Sequence, residues 1–307
     1  MKYTKLPITF ETQADLLISR GLIVKDKSKL IQILQNVNYY RLTGYLYPYR
    51  ELPNNNFRKN TTFEIVWKHY TFDRRLRLII LDAIERIEVS FRTQLIYKIA
   101  HETKAFGYID RTNYPNLNDE KFNHLKNAFA DESKRSRETF VEHFNKKYSD
   151  EHRCLPIWML GEILSFGTLL TMYKGISNKM KQEIASYYGI PDKVMISWLM
   201  AIHVIRNTCA HHGRIWNRIL VVKPLIPKKE KYPDWHNPES IKNNRIFSIL
   251  TIFVYLLKIV APNTKWKDRF YELLKQYPEI DLKEMGFYKG WQNNPIWKTN
   301  FKEEIYE

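Results

Sequence analysis

Residues 72–95 read FDRRLRLIILDAIERIEVSFRTQL. Leu76, Ile80, Ala83, Ile87 and Phe91 recur there at intervals of three and four, the spacing that lines one face of an α-helix. A half-buried strand would need strict alternation, and this stretch has none. Just upstream, Thr61-Thr62-Phe63-Glu64 has the form of a capping box, in which Thr61 and Glu64 satisfy each other's backbone donors. A long helix is therefore predicted to open at this box and to run to about Lys104.

Working outward, helical punctuation continues in both directions. Thr12 is expected to cap a short helix ending before Gly21, and Asp26 to start a second carrying Leu30, Ile31, Leu34 and Val37. An aromatic stretch, Tyr39 to Tyr45, precedes a loop with Pro48, Pro53 and three asparagines. Beyond the long helix comes a polar middle to which no element is assigned. Pro156 suits the first turn of a helix through Tyr173, Ser177 to Gly189 reads as another, and Pro191 starts a third that should stop at Gly213. Residues 223–238 form a basic, proline-punctuated loop, Ser240 opens an apolar helix, and Asn263 or Thr264 caps one more. The fold class is all-α, in three regions: an N-terminal helical region 1–60, a core 61–262 and a C-terminal helical extension 263–307.

Composition narrows the function. With 307 residues the chain can bury a large core, roughly 75% of its unfolded surface at about this size. Only 10 glycines are present, and no G-x-G-x-x-G, Walker A or H-E-x-x-H pattern occurs, so nucleotide-driven and zinc-hydrolase chemistry are poor fits. Forty-nine Lys and Arg against 33 Asp and Glu leave a net charge of +16, which calls for a polyanionic partner. Residues 1–100 hold 17 basic against 9 acidic side chains, and residues 201–250 hold 9 against 3, so two segments carry nearly all of the excess. Two cysteines, Cys154 and Cys209, cannot build a disulfide framework, and a reducing cytoplasm is the expected compartment. The most apolar stretch, Ile246 to Ala261, is interrupted by Ser248, Thr251 and Lys258, short of the roughly 20 apolar residues a membrane span needs. The N-terminal residues MKYTKLPITFETQADLL lack an apolar targeting core, and no membrane partner is expected.

One constellation stands out in AIHVIRNTCAHHGRIWNR, residues 201–218. With His203 at 0° on a helix, Arg206 lies at about −60°, Asn207 at about +40° and His211 at about +80°. Trp198, Ile202, Ile205 and Cys209 gather on the opposite side, and His212 falls beside them. Such an arc can be a capped helix end, a structural hydrogen-bonding face, a metal site or a phosphodiester-cleaving group. No metal site is expected, because Asn207 stands at the i+4 place where a second histidine would help. Arginine can grip a phosphate with a fork of donors, and histidine exchanges protons near neutral pH. On the cleavage reading His211 is the general base or acid, Arg206 stabilises the phosphoryl charge, Asn207 orients His211 or binds phosphate, and His212 is a second candidate. Arg214, Arg218 and Lys223 follow and could hold an RNA backbone, or be ordinary surface charges. Tyr39, Tyr40, Tyr45 and Tyr47 could stack on unpaired bases or belong to the core.

Arg206 to His211 fits the R-x(4–6)-H signature that marks HEPN ribonucleases, and His212 also fits its spacing. The wider segment RNTCAHHGRIWNR resembles the abortive-infection (Abi) family of the AbiD/AbiF type. So do NYYRLTGYLYP at 38–48, residues 72–95, LPIWMLGEILSFGTLL at 155–170 and MGFYKGW at 285–291. The resemblance implies a HEPN-like helical bundle with additional N- and C-terminal helices. It also implies a toxin-like, metal-independent endoribonuclease of phage defence, without a cofactor. RNA would be its substrate, leaving 2′,3′-cyclic phosphate and 5′-hydroxyl ends, and an antitoxin RNA or protein could restrain it. On one straight helix Arg206 and His211 diverge by about 140° and about 7.5 Å, which favours a homodimer with a composite active site. Two other readings are a non-catalytic RNA-binding regulator and a DNA-binding regulator using helices within residues 12–47.

Overall fold

The computed structural model describes residues 2, 4 and 6–298; part of the predicted C-terminal extension, residues 299–307, lies outside the described residues. Among the described residues the fold is all-α, with thirteen α-helices and strands confined to one two-residue hairpin. The chain runs through α1 (Phe10–Ser19), α2 (Lys27–Asn36) and α3 (Tyr39–Leu46) to the hairpin of β1 (Arg50–Glu51) and β2 (Asn56–Phe57). The long helix α4 (Phe63–Thr103) follows, then α5 (Asp119–Arg135), α6 (Thr139–Tyr148), α7 (Ile157–Ile163), α8 (Phe166–Gly175), α9 (Asn178–Tyr187) and α10 (Asp192–Ala210). After a long irregular stretch come α11 (Ile246–Val260), α12 (Trp266–Gln276) and the single turn α13 (Pro295–Lys298).

Several boundaries differ from the sequence expectations, each for a local reason. Thr9, not Thr12, caps α1, its hydroxyl accepting from the Thr12 N–H at 3.2 Å. At α4 the cap is Thr62, which accepts from the Ile65 N–H, while the Thr61 hydroxyl donates back to the Arg58 carbonyl. The polar middle holds α5 and α6, which bury only Phe122, Leu125 and Phe129, and Val141 and Phe144. The helix expected from Pro156 to Tyr173 is broken in two. Ser165 caps α8, and its N–H is taken by the Glu132 carboxylate at 2.6 Å, so the chain turns there. The apolar helix opens at Ile246 rather than Ser240.

The chain partitions into two compact units. The first comprises the residues up to Leu78 together with Arg269–Ile280. In it α1 packs on α2, and Ala14, Leu17, Leu30, Leu34, Leu42, Val66, Phe72 and Leu76 form the core. Tyr45 is buried and its hydroxyl donates to Asp73 at 2.6 Å, while Arg77 pairs with the same carboxylate one helical turn on. Burial and the Asp73 charge push the Tyr45 hydroxyl far above its ordinary pKa, so Tyr45 is a core residue, not a stacking platform. Tyr40 and Tyr47 are exposed.

The second unit comprises Ile79–Asp268 and the chain from Asp281 onward. At its heart α11 buries eleven of its fifteen residues, among them Ser248 and Thr251, which donate to the Arg245 and Phe247 carbonyls. A helix apolar on every side must be enclosed by other elements. Here α10, Trp266 and an aromatic group of Phe287, Trp291 and Trp297 do so, with Phe247 stacked on Trp297 at 5.8 Å. Arg92 of α4 holds the corner between α7 and α8, donating to the Glu162 and Leu164 carbonyls and pairing with Glu88.

Candidate active site

The site is built on α10. Pro191 precedes its first residue, where a missing N–H costs nothing. Val194, Met195, Trp198, Leu199, Ala201, Ile202, Ile205 and Cys209 are buried along one side, against α8, α9 and α11. That burial turns Arg206 and His211 outward, and both are exposed. The apolar face expected from the wheel is the face observed.

The polar side is wired through Asn207. Its Oδ1 accepts from Arg206 Nη1 at 3.3 Å, and its Nδ2 donates to His203 Nε2 at 3.2 Å. His203 Nε2 is thereby an acceptor, which leaves the ring proton on Nδ1, a buried atom with no hydrogen-bond partner. The ring is walled by Phe166 at 5.7 Å and by Gly167, where an added Cβ would stand 3.2 Å from His203 Cε1. Burial, then the charges of Arg206 and Lys174, hold the His203 pKa below the ordinary histidine value, so the ring is neutral at pH 7. Burial and the Lys121 charge likewise lower Lys174. The Glu132 carboxylate fixes the wall itself, accepting from the Ser165 N–H and from the Thr168 hydroxyl at 2.6 Å each.

The helix does not reach Gly213. His211 is its C-cap, and the Gly213 N–H bonds the Thr208 carbonyl at 2.7 Å while the His212 N–H bonds the Cys209 carbonyl at 3.0 Å. This is a Schellman closure, which normally places glycine in the left-handed position. Here His212 occupies it, at φ 58°. Glycine is needed one residue later for room, because a Cβ on Gly213 would lie 2.8 Å from Thr208 Cγ2 and 3.1 Å from the Thr208 carbonyl oxygen.

The structure thus joins Arg206, Asn207 and His203 by hydrogen bonds and places His211 and His212, both exposed, at the helix end. His203 lay on the same wheel arc but carries no role in the sequence reading. Its i, i+4 relation to Asn207 was the available signal. Arg218 folds back toward the motif, with Nη1 3.7 Å from where a Gly213 Cβ would stand. Arg214 is half-buried and Lys223 exposed. Buried Ile215 and Trp216 anchor this segment, and Arg245 donates to the Asn217 carbonyl at 2.6 Å. Among the described residues no three His, Cys, Asp or Glu side chains are grouped to hold a metal ion, and no helix is long and apolar enough to cross a membrane.

A family model described as Abi-like protein matches residues 32–217. The chain belongs to the Abi-like protein family. The matched span of this Abi-like chain takes in all of α4 to α10, the Schellman closure and Arg214, and ends at Asn217. Arg218 and Lys223 lie just beyond it. No curated protein and no solved structure matches the chain.

Proposed function

We propose that this Abi-like chain is a metal-independent endoribonuclease of the HEPN type that acts in abortive infection. The observation that carries the reading is the exposed pair Arg206 and His211 on one helix end, with Asn207 tethering the guanidinium to a neutral, walled-in histidine. A guanidinium has five N–H donors, and one bond to Asn207 leaves four for phosphate oxygens. Arg206 stabilises the charge that builds on the phosphoryl group. His211 moves the proton. A histidine takes it from the ribose 2′-hydroxyl as that oxygen bonds phosphorus, the bond from phosphorus to the 5′-oxygen breaks, and a protonated histidine returns a proton to the leaving oxygen. The products are a 2′,3′-cyclic phosphate and a 5′-hydroxyl.

Arg206 lies within α10 and His211 caps it, so the two side chains diverge by about 140° around the helix. Two copies of α10 facing each other across a twofold axis supply both groups to one phosphate and both histidines to one reaction. The working species is then a cytoplasmic homodimer, with Arg214, Arg218 and Lys223 holding RNA and an antitoxin RNA or protein restraining it.

The test is cleavage of single-stranded RNA in EDTA, with the new ends sequenced. Wild type should leave cyclic phosphate ends, and His211→Ala should lose about 10²–10⁴-fold in rate. Equal rates for wild type, Arg206→Ala and His211→Ala refute the assignment. RNA binding without cleavage by any form would make the chain a binding regulator instead.

A further inference from the structure

We propose that a second site, in the first unit, binds one nucleotide of an unpaired RNA strand. A cavity of about 750 Å³ opens among α1, α2, α3 and the β1–β2 hairpin, and the described residues that line it fall within 6–55. Its size falls within the roughly 300–1,000 Å³ of small-ligand clefts. Two of its lining side chains hold buried polar atoms with no partner: the Gln13 Oε1 acceptor and the Arg50 Nε donor. Gln13 is oriented by its own Nε2, which donates to the Ile8 carbonyl at 3.2 Å and leaves Oε1 facing away from that bond. Buried polar groups are almost always satisfied, so an orphan acceptor and an orphan donor in one cavity point to a ligand carrying both complements.

The rest of the lining narrows its chemistry. Arginines 20 and 50 and a set of Asn and Gln amides supply the polar surface, and among the described residues no Asp, Glu or Lys lines the cavity. An anion with hydrogen-bonding edges fits that set. Tyr39 and Tyr40 stand edge to face with ring centroids 5.7 Å apart, and Tyr40 is 73% exposed, an aromatic surface with no place in the core. Every nucleobase offers a flat π-face and at least one N–H donor on its pairing edge, and its nucleotide carries a phosphate. The base stacks on Tyr40 and donates to Gln13 Oε1, while Arg20 and Arg50 face the phosphate. The site belongs to the first unit and requires nothing of the α10 cluster.

The test is binding, run on the Arg206→Ala/His211→Ala variant so that no strand is cut and a failure of the nuclease reading leaves it intact. Labelled 12-residue oligomers of A, C, G and U are titrated by anisotropy, and the four nucleoside monophosphates are added as competitors. Tyr40→Ala should weaken oligomer binding about 5- to 100-fold, as removal of a base-stacking aromatic does. Gln13→Leu should weaken all four oligomers alike, because each base offers the donor that Gln13 accepts. Competition by a monophosphate at its own binding concentration would assign the site to a free nucleotide rather than a strand and overturn the RNA part of the proposal. Unchanged affinity in both folded variants, or no binding by the parent, overturns the whole. An oligomer carrying 4-thiouridine, irradiated on the protein with its cavity unaltered, should cross-link within the peptide holding Tyr39 and Tyr40. Cross-links found only elsewhere count against the site.

Discussion

His212 offers a measurement that separates backbone from side chain at the candidate site. It holds φ 58° in the closure of α10, a conformation that costs a residue with a Cβ about 1–2 kcal/mol. Glycine avoids that cost but gives back about 0.5–1 kcal/mol through the freedom it gains in the unfolded chain. His212→Gly and His212→Ala both remove the ring and every contact the ring makes, so their difference reports the backbone alone. His212→Gly should therefore be the more stable of the two by about 0.5–1 kcal/mol, or about 1–4 °C in Tm for a unit of this size. Scanning calorimetry of the two variants in one buffer, at one concentration, is the assay. His212→Ala equal to or more stable than His212→Gly would refute the left-handed assignment. The same pair bears on chemistry, since both should cleave RNA at similar rates if His211 moves the proton.

Two further outcomes follow from half-buried basic groups. Burial, with Lys267 adding and Asp234 opposing, brings the Lys258 pKa down from 10.5 to about 8. A depressed lysine stabilises the fold only above its unfolded value, and that contribution is lost as pH falls from 10.5 through 8, so at pH 7 the charged amine is a net cost. The full difference is about 3.4 kcal/mol, which partial solvent access cuts to about 1–2, so Lys258→Met should raise the pH 7 Tm; a lower Tm contradicts the burial argument. His203, held below its ordinary 6.5, leaves the unfolded chain binding more protons as pH falls through 6.5. Stability should be complete above that pH and decline below it, and His203→Gln should flatten the decline; an unchanged pH profile in that variant removes His203 as its source.

The long helix and α10 were legible because each carries its own evidence. Leu76 to Phe91 repeat at the helical period, and Pro191 marks a first turn. The wheel also separated the buried side of α10 from Arg206 and His211 with no knowledge of what packs there. What stayed hidden depended on distant partners. Within LPIWMLGEILSFGTLL the break at Ser165 shows only as a serine able to cap a helix, because a carboxylate from Glu132, 33 residues earlier, holds the turn. The helix α5 was readable after all, with Asn118 as its cap, acidic residues in its first turn and Phe122, Leu125 and Phe129 on one face, but its polarity outweighed that pattern. The helix was expected to stop at Gly213 but ends at Ala210, and the glycine is there for close approach to Thr208. The role of His203 needed the Asn207 amide in place before it could be seen.

The enclosure of α11 bears on how this protein can be made and cut. Biosynthesis delivers α11 before Trp266, Phe287, Trp291 and Trp297, the aromatic rings that cover it. A nascent chain paused between these points presents the largely apolar surface of eleven otherwise buried residues to the ribosome's surroundings, an invitation to chaperones or to clumping. Trimming the gene to the family-matched span would be worse, since it discards α11 itself and strips one side of α10, where Trp198 now meets Tyr255. The boundary at which relatives are recognised is therefore not a boundary at which this protein can be shortened. A stably folded product requires the chain through at least Trp297, whose indole N–H is spent on Thr251 in the middle of the helix it closes over.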